Sequence, residues 1–202
     1  DDVLGFAAFR LETIAASTLQ TQMYYLKQAV TNSRIKTEQP VVDMAIDELK
    51  KKKLIMGSVR RDRRLEPGEY ETLMEAAEGH WISAAIDIAV ESGMRQGEIH
   101  ALKWSDIDEN KGVIHLMRKD KGAEGGKSKC DIPLLQGVRE ALLRSSNVLG
   151  QGPNLISVKR AASISDKFAR MTAKLGIDDL RFHDLRHEAI SRMFERGMRV
   201  EQ

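Results

Sequence analysis

The chain has 202 residues, 42% of them hydrophobic and 31% charged, with 32 Lys and Arg against 30 Asp and Glu and a formal net charge of +2. That composition is too apolar for a disordered chain, and the length suits one large domain or a domain plus a piece of another. No apolar run approaches the roughly 20 residues that cross a bilayer, no basic-then-apolar leader opens the chain, and a single cysteine, Cys130, excludes an internal disulfide or a cysteine-rich zinc site and suits a reducing cytoplasm. The chain starts Asp1-Asp2-Val3 without an initiator Met and stops within a helical pattern, as a piece of a longer protein would.

In chain order, residues 3–16 place apolar residues at helical spacing. Ser17 or Thr18 can cap a second helix with Leu19, Met23, Leu26 and Val30 on one face; Tyr24 and Tyr25, in the same helix, are expected to pack in its core. Pro40 opens a third helix that runs to about Lys53. A strap follows in which Lys50, Lys51, Lys52, Lys53, Arg60, Arg61, Arg63 and Arg64 face only Asp62, so the near-neutral total hides a segregated positive charge. Gly57 and the residues after it read as a linker, and Pro67 opens a helix through Tyr70, Leu73 and Met74 to Ala77.

Residues 81–92 are apolar on most sides, the pattern of a buried helix, and Gly93 stops it. Val113–Leu116 and Cys130–Pro133 read as two strands of a hairpin whose tip holds Gly122, Gly125 and Gly126. Helices resume at 135–149, about 165–175 and 183–196, with Gly176 and Gly197 as caps. The fold class is therefore mainly α with a small antiparallel sheet (α+β). In the sequence Trp81 and Trp104 show no role beyond packing, and Cys130 reads as an inert small residue.

Three places carry chemistry. In Gly93-Met94-Arg95-Gln96-Gly97-Glu98, an Arg follows a helix-ending Gly and a Glu lies one turn on; taken alone, this also describes an Arg–Glu pair on a surface helix. The hairpin is rich in Lys, which elsewhere serves only to keep a sheet edge solvated. In His183-Asp184-Leu185-Arg186-His187, His183 shares a helix face with Arg186 and His187. The two His lack the intervening Glu of a metalloprotease helix and an obvious third ligand, so no metal is expected. An Arg fork beside a His suits a phosphodiester: the guanidinium grips two oxygens and the imidazole moves a proton near neutral pH. Together the three places make a cationic cage with proton transfer built in.

Gly93–Ile99 with Ala101–Ile107 resembles the first arginine motif of the tyrosine site-specific recombinases, the phage integrase family, and His183–His187 resembles its second box. The Lys-bearing hairpin, closing on Ile132-Pro133-Leu134, lies between them in the family's order, and Arg63-Arg64-Leu65-Glu66-Pro67 resembles the entrance to its catalytic domain. The resemblance implies residues 1–56 as the end of a helical core-binding domain, 57–66 as a basic linker, and 67–202 as a catalytic domain truncated before its nucleophile. It implies that Arg95 and Arg186 bind the non-bridging phosphate oxygens, that Glu98 orients the site, and that His183 transfers a proton or binds phosphate. Lys119, or alternatively Lys121, would protonate the leaving oxygen; His187 would support the site. The strap residues Lys50–Lys53, Arg60, Arg61, Arg63 and Arg64, with Lys121, would contact DNA.

The implied activity is strand exchange between double-stranded recombination sites through a 3′-phosphotyrosyl link, by a tetramer that needs neither cofactor nor metal, in a bacterial cytoplasm at the nucleoid. Tyr24, Tyr25 and Tyr70 all precede Arg95, and none follows Arg186, so these residues are expected to lack the nucleophile. A non-catalytic DNA-binding protein on the same scaffold and a type IB topoisomerase-like enzyme remain the alternatives.

Overall fold

A computed structural model describes residues 2–33, 38–57, 61–119 and 126–198, except for the side chains of Lys119 and Lys127. The chain forms two compact units that divide between residues 60 and 61.

The first unit holds α1 (Asp2–Leu11), α2 (Ala16–Asn32) and α3 (Gln39–Lys51). α1 stops earlier than its apolar spacing suggests, because the amides of Thr13 and Ile14 both turn back to the Arg10 carbonyl. Ala15, extended, then caps α2 in place of Ser17 or Thr18. Pro40 sits in the first turn of α3, where its missing N–H costs nothing. Ala7, Leu19, Met23, Val30, Val42, Ile46, Leu49 and Ile55 form the core. Tyr24 and Tyr25 do not join it. They lie off the Leu19–Met23–Val30 stripe and are 57% and 64% exposed, with their rings edge to face at 5.8 Å.

The second unit carries α4 (Glu69–Ala76), α5 (Trp81–Ser92), α6 (Gln96–Ala101), β1 (Ile107–Asp108), β2 (Val113–Lys119), β3 (Lys127–Pro133), α7 (Gln136–Arg144), α8 (Ala162–Leu175) and α9 (Asp184–Glu195). α5 is the central post, buried from Ile82 to Val90 and packed against α7 and α9. Within it Asp87 is fully buried and accepts bonds from the Tyr70 hydroxyl at 2.8 Å and from Arg144 Nε and Nη2 at 3.0 and 2.9 Å. Burial and Asp87 together push the Tyr70 phenol well above its ordinary value, which fixes Tyr70 as a structural donor.

The three strands pair antiparallel in the order β1-β2-β3, with Leu116 opposite Cys130 and Arg118 opposite Ser128. Alternation along β2 turns Ile114 and Leu116 into the core and leaves Met117 exposed. α7 is shorter than the 135–149 apolar pattern; after Arg144 the chain continues in tight turns that still bury Leu149. Trp104 is 43% exposed, and its indole N–H donates to the Gly150 carbonyl at 3.0 Å, a link between two loops and not a core contact.

Candidate phosphate site

Two junctions build the site. At the first, α5 ends on Gly93 at φ 63°, a left-handed position that costs an L residue about 1–2 kcal/mol. The chain then extends through Arg95, which caps α6. Glu98 closes half of a capping box, accepting twice from Arg95: its Oε2 takes the Arg95 backbone N–H at 2.8 Å and its Oε1 takes Arg95 Nη1 at 3.0 Å. The Arg–Glu spacing is thus both a helix cap and a means of aiming the Arg95 side chain. Gln96 anchors the turn from behind, donating to the Ala161 carbonyl and to Ser165 Oγ at the start of α8.

At the second junction, His183 caps α9, and Arg186 lies one turn in. Arg186 Nη1 donates to the Gly93 carbonyl, so the end of α5 holds the second arginine beside the first. Burial lowers the Arg186 pKa, and Arg95 and Arg118 lower it further, against the pull of Glu98. Burial likewise pushes His183 below the usual histidine range, followed by His187, whose ring stands edge to face at 5.2 Å, and by Arg186 and Arg95. Glu98 stays below the usual carboxylate range: burial raises it, but the Arg95 N–H, the Arg95 side chain and Arg118 together outweigh that.

Arg95, Glu98, His183 and Arg186 therefore come together, as the two motifs suggest. Arg118 joins them without having been singled out: its Nε donates to Glu98 Oε1 at 3.0 Å. Lys119 follows it on β2, where its backbone pairs with Lys127; its side chain, with Lys121 and Arg60, lies outside the described residues.

The strap residues divide. Lys50 and Lys52 pair on the surface with Asp47 and Glu48, with Lys51 ending α3 and Lys53 following in a left-handed turn. Arg61 binds Asp179 and the buried Asp184, Arg63 binds Glu66 and Glu69, and Arg64 binds the buried Glu188 and Glu195. Residues 61–64, expected to lie in the linker, are thus tied into the second unit. Among the described residues, no group of three His, Cys, Asp or Glu side chains is placed to hold a metal, and no helix is long and apolar enough to cross a membrane.

A mainly helical domain with a three-stranded antiparallel sheet is the fold of tyrosine recombinase catalytic domains. Residues 63–202 match the model of the phage integrase family, and the chain belongs to that family. It is 38% identical over 140 residues to a shufflon-specific DNA recombinase of Escherichia coli, covering 68% of this chain and 34% of that one. In fold it resembles the Tn1549 transposon integrase in complex with circular intermediate DNA (TM-score 0.66, 19% identity, 99% of this chain and 74% of that one). It also resembles a lambda integrase tetramer bound to a Holliday junction (TM-score 0.56, 22% identity, 94% and 62%). The chain spans 34% to 62% of the length of the curated relatives it matches.

Proposed function

We propose that these residues bind and activate a DNA phosphate for a site-specific recombinase that exchanges strands between paired double-stranded sites as a tetramer. The convergence of Arg95, Arg186 and His183 at the ends of α5 and α9 carries this reading. The two guanidiniums grip the non-bridging oxygens and offset the charge that grows on them as the phosphate goes five-coordinate. His183, neutral near pH 7, accepts or returns a proton there. Lys119, or Lys121, protonates the departing 5′ oxygen. A tyrosine takes the 3′ phosphate, and a 5′ hydroxyl of the partner duplex later displaces it, so bond energy is conserved through two transesterifications. The lambda integrase tetramer on a Holliday junction supports the same assembly here. Lys50–Lys53 contact the backbone without reading sequence.

No tyrosine follows Tyr70 in these 202 residues. The polypeptide alone should therefore bind a nicked suicide duplex at low salt and form no covalent adduct with it. A covalent adduct would defeat the view that the nucleophile comes from elsewhere. A complex equally tight in R95A/R186A would defeat the phosphate cage.

A further inference from the structure

Glu98 serves two arginines. Its Oε1 accepts Arg95 Nη1 and Arg118 Nε, each at 3.0 Å, while Oε2 is taken by the Arg95 backbone. The carboxylate is only 9% exposed, Arg118 is 31% exposed and Arg95 55%. Arg118 occupies the inward-facing slot of β2 after Ile114 and Leu116, and β2 packs against α6, so the strand delivers it to the far side of Glu98.

That arrangement has an electrostatic consequence. A sheltered carboxylate paired with a single arginine cancels much of that arginine's charge, and an anion arriving at Arg95 would then meet a near-neutral pair and a carboxylate at close range. With a second guanidinium on the same oxygen, the Arg95–Glu98–Arg118 group keeps a net positive charge. Glu98 can then serve as a cap and an aiming device without repelling the phosphate.

We propose that Arg118 is a positioning residue that neutralises Glu98 and so leaves the Arg95 guanidinium charged toward a phosphate oxygen. The same bond fastens β2 to the Arg95 turn one residue before Lys119, which couples the hairpin to the phosphate position. This rests on the phosphate-binding reading of Arg95 and Arg186.

The test uses the 202-residue polypeptide labelled at arginine, with inorganic phosphate as probe and the Arg Nε–H signals as readout. Wild type should show a saturable shift that R95M loses. R118M should weaken binding about three- to tenfold, and R118K, which keeps the charge but not the fork, should recover part of it. The deciding variant is R118M/E98Q: with the carboxylate gone there is nothing left for Arg118 to neutralise, and affinity should return to within about twofold of E98Q alone. Unchanged affinity in R118M would overturn the proposal. So would R118M/E98Q as weak as R118M, since Arg118 would then act by touching the anion or by holding the fold. Equal binding by wild type and R95M would instead overturn the phosphate reading and the proposal with it.

Discussion

Two groups of three arginines lie in the same catalytic unit, and their carboxylates separate them. Arg61, Arg63 and Arg64 meet Asp179 and Asp184, Glu66 and Glu69, and Glu188 and Glu195. Arg95, Arg118 and Arg186 gather around one, Glu98. The carboxylates more than offset the first group, whereas the second keeps a net positive charge. A run of basic residues is therefore not yet a basic surface; the partners decide. The two groups also cooperate through α9. Asp184 and Glu188 lie on its stapled face, while His183 and Arg186 serve the site from its first turn. The 61–64 segment holds the helix that presents the second box.

The comparison breaks most visibly at Glu188. Its buried carboxylate accepts Arg64 Nε at 2.9 Å and Arg192 Nε at 2.7 Å. Glu188→Ala strips Arg192 of its ion-pair partner, leaves Arg64 with Glu195 alone, and should cost about 2–3 kcal/mol, toward the low end for a broken buried pair because both arginines reach solvent. In a unit of this size that lowers the thermal midpoint by about 5–10 °C. Glu98→Ala should cost less, about 1 kcal/mol: it removes the acceptor of the Arg95 N–H, and Arg95, more than half exposed, regains water when unpaired. Calorimetry on the two variants decides; a larger drop for Glu98→Ala would reverse the assignment of stapling and site roles.

Acid sharpens the same contrast. Burial raises the Asp184 and Glu188 carboxyls, but Arg61 and the Arg181 N–H on one, and Arg64 and Arg192 on the other, hold both below their ordinary values of 3.8 and 4.5. A carboxylate depressed in the folded state contributes stability that is present above its unfolded pKa and lost as pH falls through its folded pKa. The loss of thermal midpoint that these two carboxylates cause should therefore set in only below about pH 4.5. Glu188→Gln should start lower at pH 7 and fall less steeply. An equal slope in the variant would mean that Glu188 is not a source of the acid sensitivity.

Local patterns carried much of this. The two boxes are short, and each places its residues within one helical turn, so Arg95, Glu98, His183 and Arg186 stand out by spacing once the family resemblance singles out their motifs. The buried α5 and the hairpin follow from periodicity and turn residues. What escaped depends on distant partners. Arg118 meets a Glu twenty residues away and looks, in sequence, like one more charge on a solvated hairpin. Arg61 and Arg64 find their carboxylates 118 to 131 residues on, a separation no local window spans. Asp87 reads as an oddity in an apolar helix until Tyr70 and Arg144 reach it. The exposure of Tyr24 and Tyr25 followed from a stripe only one residue wide at each turn, which hydropathy alone blurs.

The smallest effect is the most local. His183 is pushed below the ordinary histidine value of 6.5 by burial first, then by His187, Arg186 and Arg95, with only Asp184 pulling the other way. It should thus be neutral at pH 7, with a lone pair free to take a proton, and its protonation at lower pH should weaken the fold because the folded state disfavours the cation. A titration of the imidazole carbon-bound protons should place its midpoint below 6.5, and His187→Ala should move it upward. Inorganic phosphate should move it upward as well, since an anion between Arg95 and Arg186 offsets the charges that depress it, whereas Arg63→Met, in the first group, should leave it where it is. A midpoint at or above 6.5 in the unliganded protein would mean that the excess positive charge does not reach His183, and the distinction between the two arginine groups would then lose its chemical consequence.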